Sequence, residues 1–341
     1  MKKLILFITV TTFFSYSGAN GQSVRLTGLQ SDHLETPIGI DNPAPRLSWR
    51  MDDSRQGAKQ TSYRVLVDKD SMKVVNGKAD IWDTGKINSG DMLITYAGKQ
   101  LEPFAKYYWK VIGGDLENKE VSSPVSSFET GMMNIKNWQG AWIGDGKDIN
   151  YEAAPYFRKK FATNKTIKSA RAYIAVAGLY ELYINGEKIG NHRLDPMYTR
   201  FDRRNLYVAY DVTEQLRNGQ NAIGVLLGNG WYNHQSKAVW DFDRAPWRNR
   251  PTFCMDLRIT YSDGTVETIP TDLSWKTSSG ALTFNSIYTG EHYDARLEQK
   301  GWNTPDFDDS KWHGVGFRGV PSQNVTAQQI RPIHNVLTLP A

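Results

Sequence analysis

The stretch Ala177-Gly178-Leu179-Tyr180-Glu181-Leu182-Tyr183-Ile184-Asn185-Gly186-Glu187-Lys188-Ile189-Gly190 constrains the fold of this chain more than any other. Tyr180, Leu182 and Ile184 fall on one face of an extended segment and Glu181 and Tyr183 on the other, the period of two that defines a half-buried strand. Asn185-Gly186 then supplies the two positive-φ residues that a tight type I′ turn needs. A second marker, Leu227-Gly228-Asn229-Gly230-Trp231-Tyr232, is a glycine-rich loop displaying two aromatics. Together they predict an antiparallel sandwich with aromatic loops, an architecture that binds sugars more often than it performs chemistry.

The same period recurs along the chain. Residues 23–131 hold short alternating runs such as Tyr63-Arg64-Val65-Leu66-Val67 and Tyr107-Tyr108-Trp109-Lys110-Val111, separated by Gly, Pro and Asn turns and without helical periodicity. With Trp49 and a closing Ser127-Phe128-Glu129-Thr130-Gly131, this unit resembles a fibronectin type III sandwich. A linker over 132–137 leads into a second all-β region, 138–322, with runs at 170–176, 180–184, 205–212, 221–227 and 253–261. Its length suits a larger jelly roll of the galactose-binding type. Residues 323–341 end in an apolar Val-Leu-Thr-Leu-Pro-Ala and read as the start of a further, truncated domain.

Composition narrows the function classes. With 40% hydrophobic and 12% aromatic residues, including 11 Trp and 17 Tyr, the chain can build packed cores. The formal charge of +5 drops to +3 without Lys2 and Lys3, and no basic run of five or more occurs, so nucleic acid is not an expected partner. Lys2 and Lys3, the apolar run from Leu4 to Phe14 and Ala19-Asn20-Gly21 read as a signal peptide over 1–21. A periplasmic or secreted protein without a membrane span is therefore expected. The lone Cys254 excludes intrachain disulfides. It alternates with apolar Phe253, Met255, Leu257 and Ile259, which places it on the opposite strand face, with Asp256 and Arg258, as a small strand residue rather than a nucleophile.

The acidic groups around Glu291, Asp294 and Asp306-Phe307-Asp308-Asp309 lack any element that would set them across a glycosidic bond. Arg296 instead predicts an ion pair fixing its loop. No Gly-x-Ser-x-Gly, P-loop or dinucleotide fingerprint occurs, and no catalytic residue is assigned. Six histidines show no zinc spacing. No cofactor is required; calcium, which needs only oxygen ligands, is the metal to expect if one is held, although no contiguous calcium loop is present. The sharper candidate is a carbohydrate surface. Trp231, Tyr232, His234 and Trp240 cluster within ten residues beside Asn229, and Asp195, Tyr198 and Arg200 add a second loop. Flat rings stack on a pyranose while the polar groups bond its hydroxyls.

Thr36-Pro37-Ile38-Gly39-Ile40-Asp41, Pro45-Arg46-Leu47-Ser48-Trp49 and Trp82-Asp83-Thr84-Gly85-Lys86 resemble the opening module of bacterial α-L-rhamnosidases, glycoside hydrolase family 78. The stretches 178–190, Tyr210-Asp211-Val212-Thr213, 227–232, 290–296 and Gly301-Trp302 with Asp308-Asp309-Ser310-Lys311-Trp312 resemble that family's N-terminal jelly roll. The resemblance implies a non-catalytic N-terminal portion of a secreted enzyme that hydrolyses terminal α-L-rhamnosides in polysaccharide degradation. It would serve as scaffold and rhamnose-binding module for a downstream (α/α)6 barrel, which has no counterpart in these 341 residues. The alternative from another class is a stand-alone exported carbohydrate-binding or adhesion protein.

Overall fold

A computed structural model describes residues 24–117, 119–237 and 240–339; the expected signal peptide lies outside them. Alternation sets the first sandwich. Tyr107, Trp109 and Val111, every second residue of the strand Lys106–Gly114, are all buried against Trp49, Val65, Val67 and Phe128. That strand pairs with Ser62–Asp68, Glu120–Ser122 and Ser126–Glu129, and Trp82–Asp83 completes a five-stranded sheet among the described residues. A three-stranded sheet of Arg25–Ser31, Arg46–Asp52 and Leu93–Thr95 closes the other side.

One element departs from the reading of this unit as free of helix. Ser71–Val75 is helical, started by the Asp70 carboxylate, which accepts the Met72 and Lys73 amides. Only Val74 is buried, and five residues are too few to display a 3.6-residue period.

The larger unit is a jelly-roll-like sandwich of a six-stranded and a seven-stranded sheet, counted over the described residues. The hairpin anticipated at Asn185-Gly186 is present, with φ of 52° and 92° at those residues and Ile184 paired to Glu187. Tyr180, Leu182 and Ile184 enter the core between the sheets, as do Phe253, Met255, Leu257, Ile259 and Tyr261 from the strand Thr252–Tyr261. Cys254 points to the other side, where burial pushes its thiol up and Sγ meets the Gly140 carbonyl at 3.1 Å. The sheet runs past residue 322. Val325–Ala327 joins Asn205–Asp211 as a parallel strand, and Ile333–His334 pairs with His192–Arg193 in a separate two-stranded sheet, so residues 325–334 pack against strands of the sandwich. Two- and three-residue edge strands carry no readable period, which is why the sequence hid them.

A second apolar layer lies on the outer face of the seven-stranded sheet. Tyr173, Ala175, Ala177, Tyr207 and Cys254 pack there with Met132 from the linker and with partly buried Phe104 from the first sandwich. Gly39 (φ +83°) and Gly131 make this seat possible. A Cβ on Gly39 would lie 2.5 Å from that of Ala209, and one on Gly131 would lie 1.9 Å from the Tyr207 hydroxyl. Asp41 then ties the two units. Its carboxylate accepts the Tyr207 O–H at 2.6 Å, the Met133 N–H at 2.7 Å and the Ala327 N–H at 2.8 Å. Arg171 adds a fork to Glu129 at 2.7 and 2.8 Å.

A candidate aromatic platform

The loop over 229–251, which follows the strand Gly219–Gly228, carries most of the candidate residues, and buried polar groups fix its root. The Asn229 amide donates to Asn285 Oδ1 at 2.6 Å, and Asn229 Nδ2 donates to the Asn285 carbonyl at 2.9 Å. Asn233 Nδ2 donates to the Ile149 carbonyl at 2.9 Å, while Arg248 Nε donates to Asn233 Oδ1 at 3.0 Å. At the loop's end Arg250, 1% exposed, pairs with Asp145 at 2.7 Å and donates to the Tyr151 and Ala153 carbonyls at 2.6 and 2.7 Å. A buried guanidinium satisfied in this way holds the backbone where it is, because any displacement would strand a charge away from water.

On that frame the aromatic side chains converge. The Trp231 ring lies 5.0 Å from Phe242, 5.4 Å from Tyr288 and 6.3 Å from Tyr198, centroid to centroid. Tyr198 in turn lies 6.1 Å from Phe242 and 6.4 Å from Trp247, and Trp240 packs edge-on to Phe242 at 6.1 Å. Trp247 Nε1 donates to the Trp231 carbonyl at 3.2 Å. Tyr198, Tyr288 and Trp240 are 46%, 52% and 72% exposed, so the cluster offers rings to solvent rather than closing on itself. The Arg200 guanidinium sits 6.0 Å from the Trp247 ring, held by Asp202 at 2.9 and 3.1 Å.

The eight expected residues therefore separate. Trp231, Trp240, Tyr198 and Arg200 form the platform. His234 lies beneath it, 1% exposed and nearly parallel to Trp231 at 19°, with Nε2 3.2 Å from the Ser236 hydroxyl. Burial holds its pKa below the usual histidine value, so the ring is neutral at pH 7. Its Nδ1 has no partner among the described residues. Tyr232 is a pillar against Phe201 at 5.1 Å, and Asn229 is the anchor already described. Asp195 stands apart from the platform, beside Tyr210, whose hydroxyl lies 3.5 Å from its Oδ2. It is 3% exposed and engaged by His192 Nδ1 at 2.6 Å and Gln328 Nε2 at 3.1 Å, which leaves it no face for a ligand.

Phe242 and Tyr288 were missed. Phe242 stands between Trp240 and Trp247, so a denser count of rings would have found it. Tyr288 gave no such signal, since it reaches Trp231 from a hairpin 57 residues downstream, Leu282–Ser286 to Gly290–Tyr293.

Elsewhere Arg296 grips Asp294 through Nε at 2.8 Å and Nη2 at 2.6 Å, the loop-fixing pair that the sequence predicts. No three His, Cys, Asp or Glu side chains gather into a metal cluster among the described residues, so no ligand set is assigned to calcium. No described helix is long and apolar enough to cross a membrane.

Fold and site together define a two-module β protein, an immunoglobulin-like sandwich followed by a jelly roll with an aromatic end. The Rha78A-like N-terminal immunoglobulin domain model matches residues 26–134, and the α-L-rhamnosidase N-terminal domain model matches residues 165–336. The chain belongs to the α-L-rhamnosidase family, glycoside hydrolase family 78, and corresponds to its N-terminal modules. An α-L-rhamnosidase of Formosa agariphila is 34% identical, with 97% of this chain aligned to 38% of that enzyme. One of Alteromonas sp. (strain LOR) is 33% identical, covering 97% of this chain and 37% of its own. The solved α-L-rhamnosidase of Dictyoglumus thermophilum superposes with a TM-score of 0.82 at 40% identity, over 89% of this chain and 35% of that one. The Streptomyces avermitilis enzyme, complexed with L-rhamnose, shares the fold with a TM-score of 0.85 at 22% identity, over 92% of this chain and 47% of its own. This chain thus spans between a third and a half of the relatives it matches.

Proposed function

We propose that this chain is the non-catalytic N-terminal part of a secreted α-L-rhamnosidase acting on terminal α-L-rhamnosides, and that its jelly roll binds the rhamnose-bearing substrate on the aromatic platform. The carrying observation is the convergence of Tyr198, Trp231, Phe242, Trp247 and Tyr288 from three separate segments, with exposed rings at its rim. Such rings remove the apolar face of a pyranose from water, and Arg200 and Asp202 stand beside them to bond hydroxyls. The Asp41 junction makes the two sandwiches a stiff scaffold for the catalytic barrel expected in the full-length enzyme. No step of hydrolysis is assigned to residues of this chain.

Titration calorimetry with L-rhamnose, with and without calcium, tests the reading. A flat site of this size predicts a Kd of about 1 mM, or roughly −4 kcal/mol. Trp231→Ala and Trp240→Ala should each abolish the heat, and only Trp231→Ala should also lower stability, because Trp240 is 72% exposed. Absence of heat with the wild-type chain would refute the binding role and leave scaffolding alone.

A further inference from the structure

Beside the platform lies a groove of about 350 Å³ on the outer face of the six-stranded sheet. Leu179 and Leu226 are among its lining residues, together with Glu181, Arg193, Glu291 and Tyr293. The volume is within the range of small-ligand clefts, ~300–1,000 Å³. Its polar groups are only partly spoken for. Glu181 accepts the Tyr183 hydroxyl and pairs with Lys188. Arg193 makes one hydrogen bond, Nη1 to the His192 carbonyl at 2.9 Å, and no carboxylate lies within ion-pair distance of it among the described residues. Glu291 is exposed, and Tyr293, 58% exposed at the rim, donates its hydroxyl to Glu298 and leaves its ring open.

Three segments that wall the groove are the same three that build the platform. One carries Leu194 to the groove and Tyr198 to the platform, the second Gly228 and Trp231, and the third, the hairpin of Leu282–Ser286 and Gly290–Tyr293, supplies Asn285 and Tyr293 on one side and Tyr288 on the other. The Asn229–Asn285 hydrogen bonds lock the second segment to the third. A ligand seated on the platform and longer than one ring would therefore run on into the groove.

We propose that platform and groove are one extended site for a neutral oligosaccharide of at least two or three sugar units, the groove taking those that follow the terminal residue. This rests on the sugar-binding reading of the platform. Charge favours a neutral ligand, since the two carboxylates Glu181 and Glu291 are balanced in number by Lys188 and Arg193, only Glu181 being paired, with Lys188. The apolar floor, the free guanidinium donor, the carboxylate acceptors and the open tyrosine ring suit an amphipathic polyhydroxylated chain. An extended peptide is disfavoured. The floor strand Gly219–Gly228 is paired on both sides, and the Tyr180 N–H of its neighbour is already donated to the Asp195 carbonyl, so no open edge is on offer.

Calorimetry of the whole chain with methyl α-L-rhamnoside and with α-linked rhamnose di- and tetrasaccharides separates the two claims. The wild-type chain should bind the tetrasaccharide about tenfold more tightly than the monosaccharide. The double variant Glu291→Ala/Tyr293→Ala, altered only at exposed positions, should keep its melting temperature and its affinity for methyl α-L-rhamnoside while losing the length-dependent gain. Arg193→Ala should lose the same gain. Equal affinities of the wild type for the mono- and tetrasaccharide, or an undiminished gain in the variants, would overturn the extended site and leave the platform standing. No binding of any probe by the wild type would overturn both.

Discussion

Replacing Asp41 by alanine should loosen the junction between the sandwiches before either unfolds. Its carboxylate is the acceptor for the Tyr207 hydroxyl and the Ala327 amide of the jelly roll and for the Met133 amide of the linker, at 2.6, 2.8 and 2.7 Å. Tyr207 is fully buried and Ala327 is 7% exposed, so truncation strands the Ala327 amide and leaves the Tyr207 hydroxyl only its longer bond to the Gly39 carbonyl, at 3.1 Å. Each stranded donor costs about 1–3 kcal/mol. Part of that is offset, because burial already pushes the Asp41 carboxyl above its usual pKa and the variant no longer buries a charge. The net expected loss is about 1–3 kcal/mol for Asp41→Ala and about half that for Asp41→Asn, which keeps one acceptor. Urea unfolding followed by tryptophan fluorescence gives the loss, and native-state hydrogen exchange should show the Ala327 and Met133 amides opening below the global unfolding energy. A double-mutant cycle with Tyr207→Phe should return a coupling of about 1–2 kcal/mol. Additive losses in that cycle, or an Asp41→Ala chain within about 0.5 kcal/mol of wild type, would refute the junction as described.

Asp256 offers a pH test with a definite sign. Burial pushes its carboxyl up to about 6 from 3.8, against the pull of the Gln139 and Gly140 amides at 2.8 Å each. The folded state therefore holds the proton more tightly than the unfolded chain. The contribution of Asp256 is complete below pH ~4 and is lost as pH rises through 6, by about 3 kcal/mol in all. Asp256→Asn should lack this component, so urea midpoints of the two proteins should diverge between pH 4 and 7; parallel profiles would count against the burial argument. Gly131→Ala would place a Cβ 1.9 Å from the Tyr207 oxygen. It should cost about 3 kcal/mol or more, relieved only in part in the Gly131→Ala/Tyr207→Phe background because the Cβ would also lie 2.7 Å from the Gly39 carbonyl oxygen, and a melting temperature unchanged from wild type would show that the modules are not seated there.

The strands and their inward faces were open to a reading of the sequence, and particular residues show why. Tyr180, Leu182 and Ile184, Tyr107, Trp109 and Val111, and the odd positions from Phe253 to Tyr261 each repeat over five or more residues, and pleating alone decides which face they share. Cys254 was placed by the same rule. Ser71–Val75 and Val325–Ala327 are shorter than any period they could display, and Val325–Ala327 is defined only by its parallel partner Asn205–Asp211. Asp195 illustrates the limit for sites. It stands three residues from Tyr198, yet its carboxylate is drawn inward by His192 and by Gln328, which is 133 residues away.

Spacing within a few residues is enough to reveal the all-β class, the two sandwiches in order, the Asn185-Gly186 hairpin and the neighbourhood of the aromatic loop. Which rings face solvent and which are pillars depends on long-range packing. Trp231 and Tyr232 are adjacent in sequence, but Tyr232 is buried under Phe201 while Trp231 meets Tyr198 and Tyr288 from either side. Burial is set by what packs on top, and here the covering segments come from distant strands whose meeting no local pattern encodes.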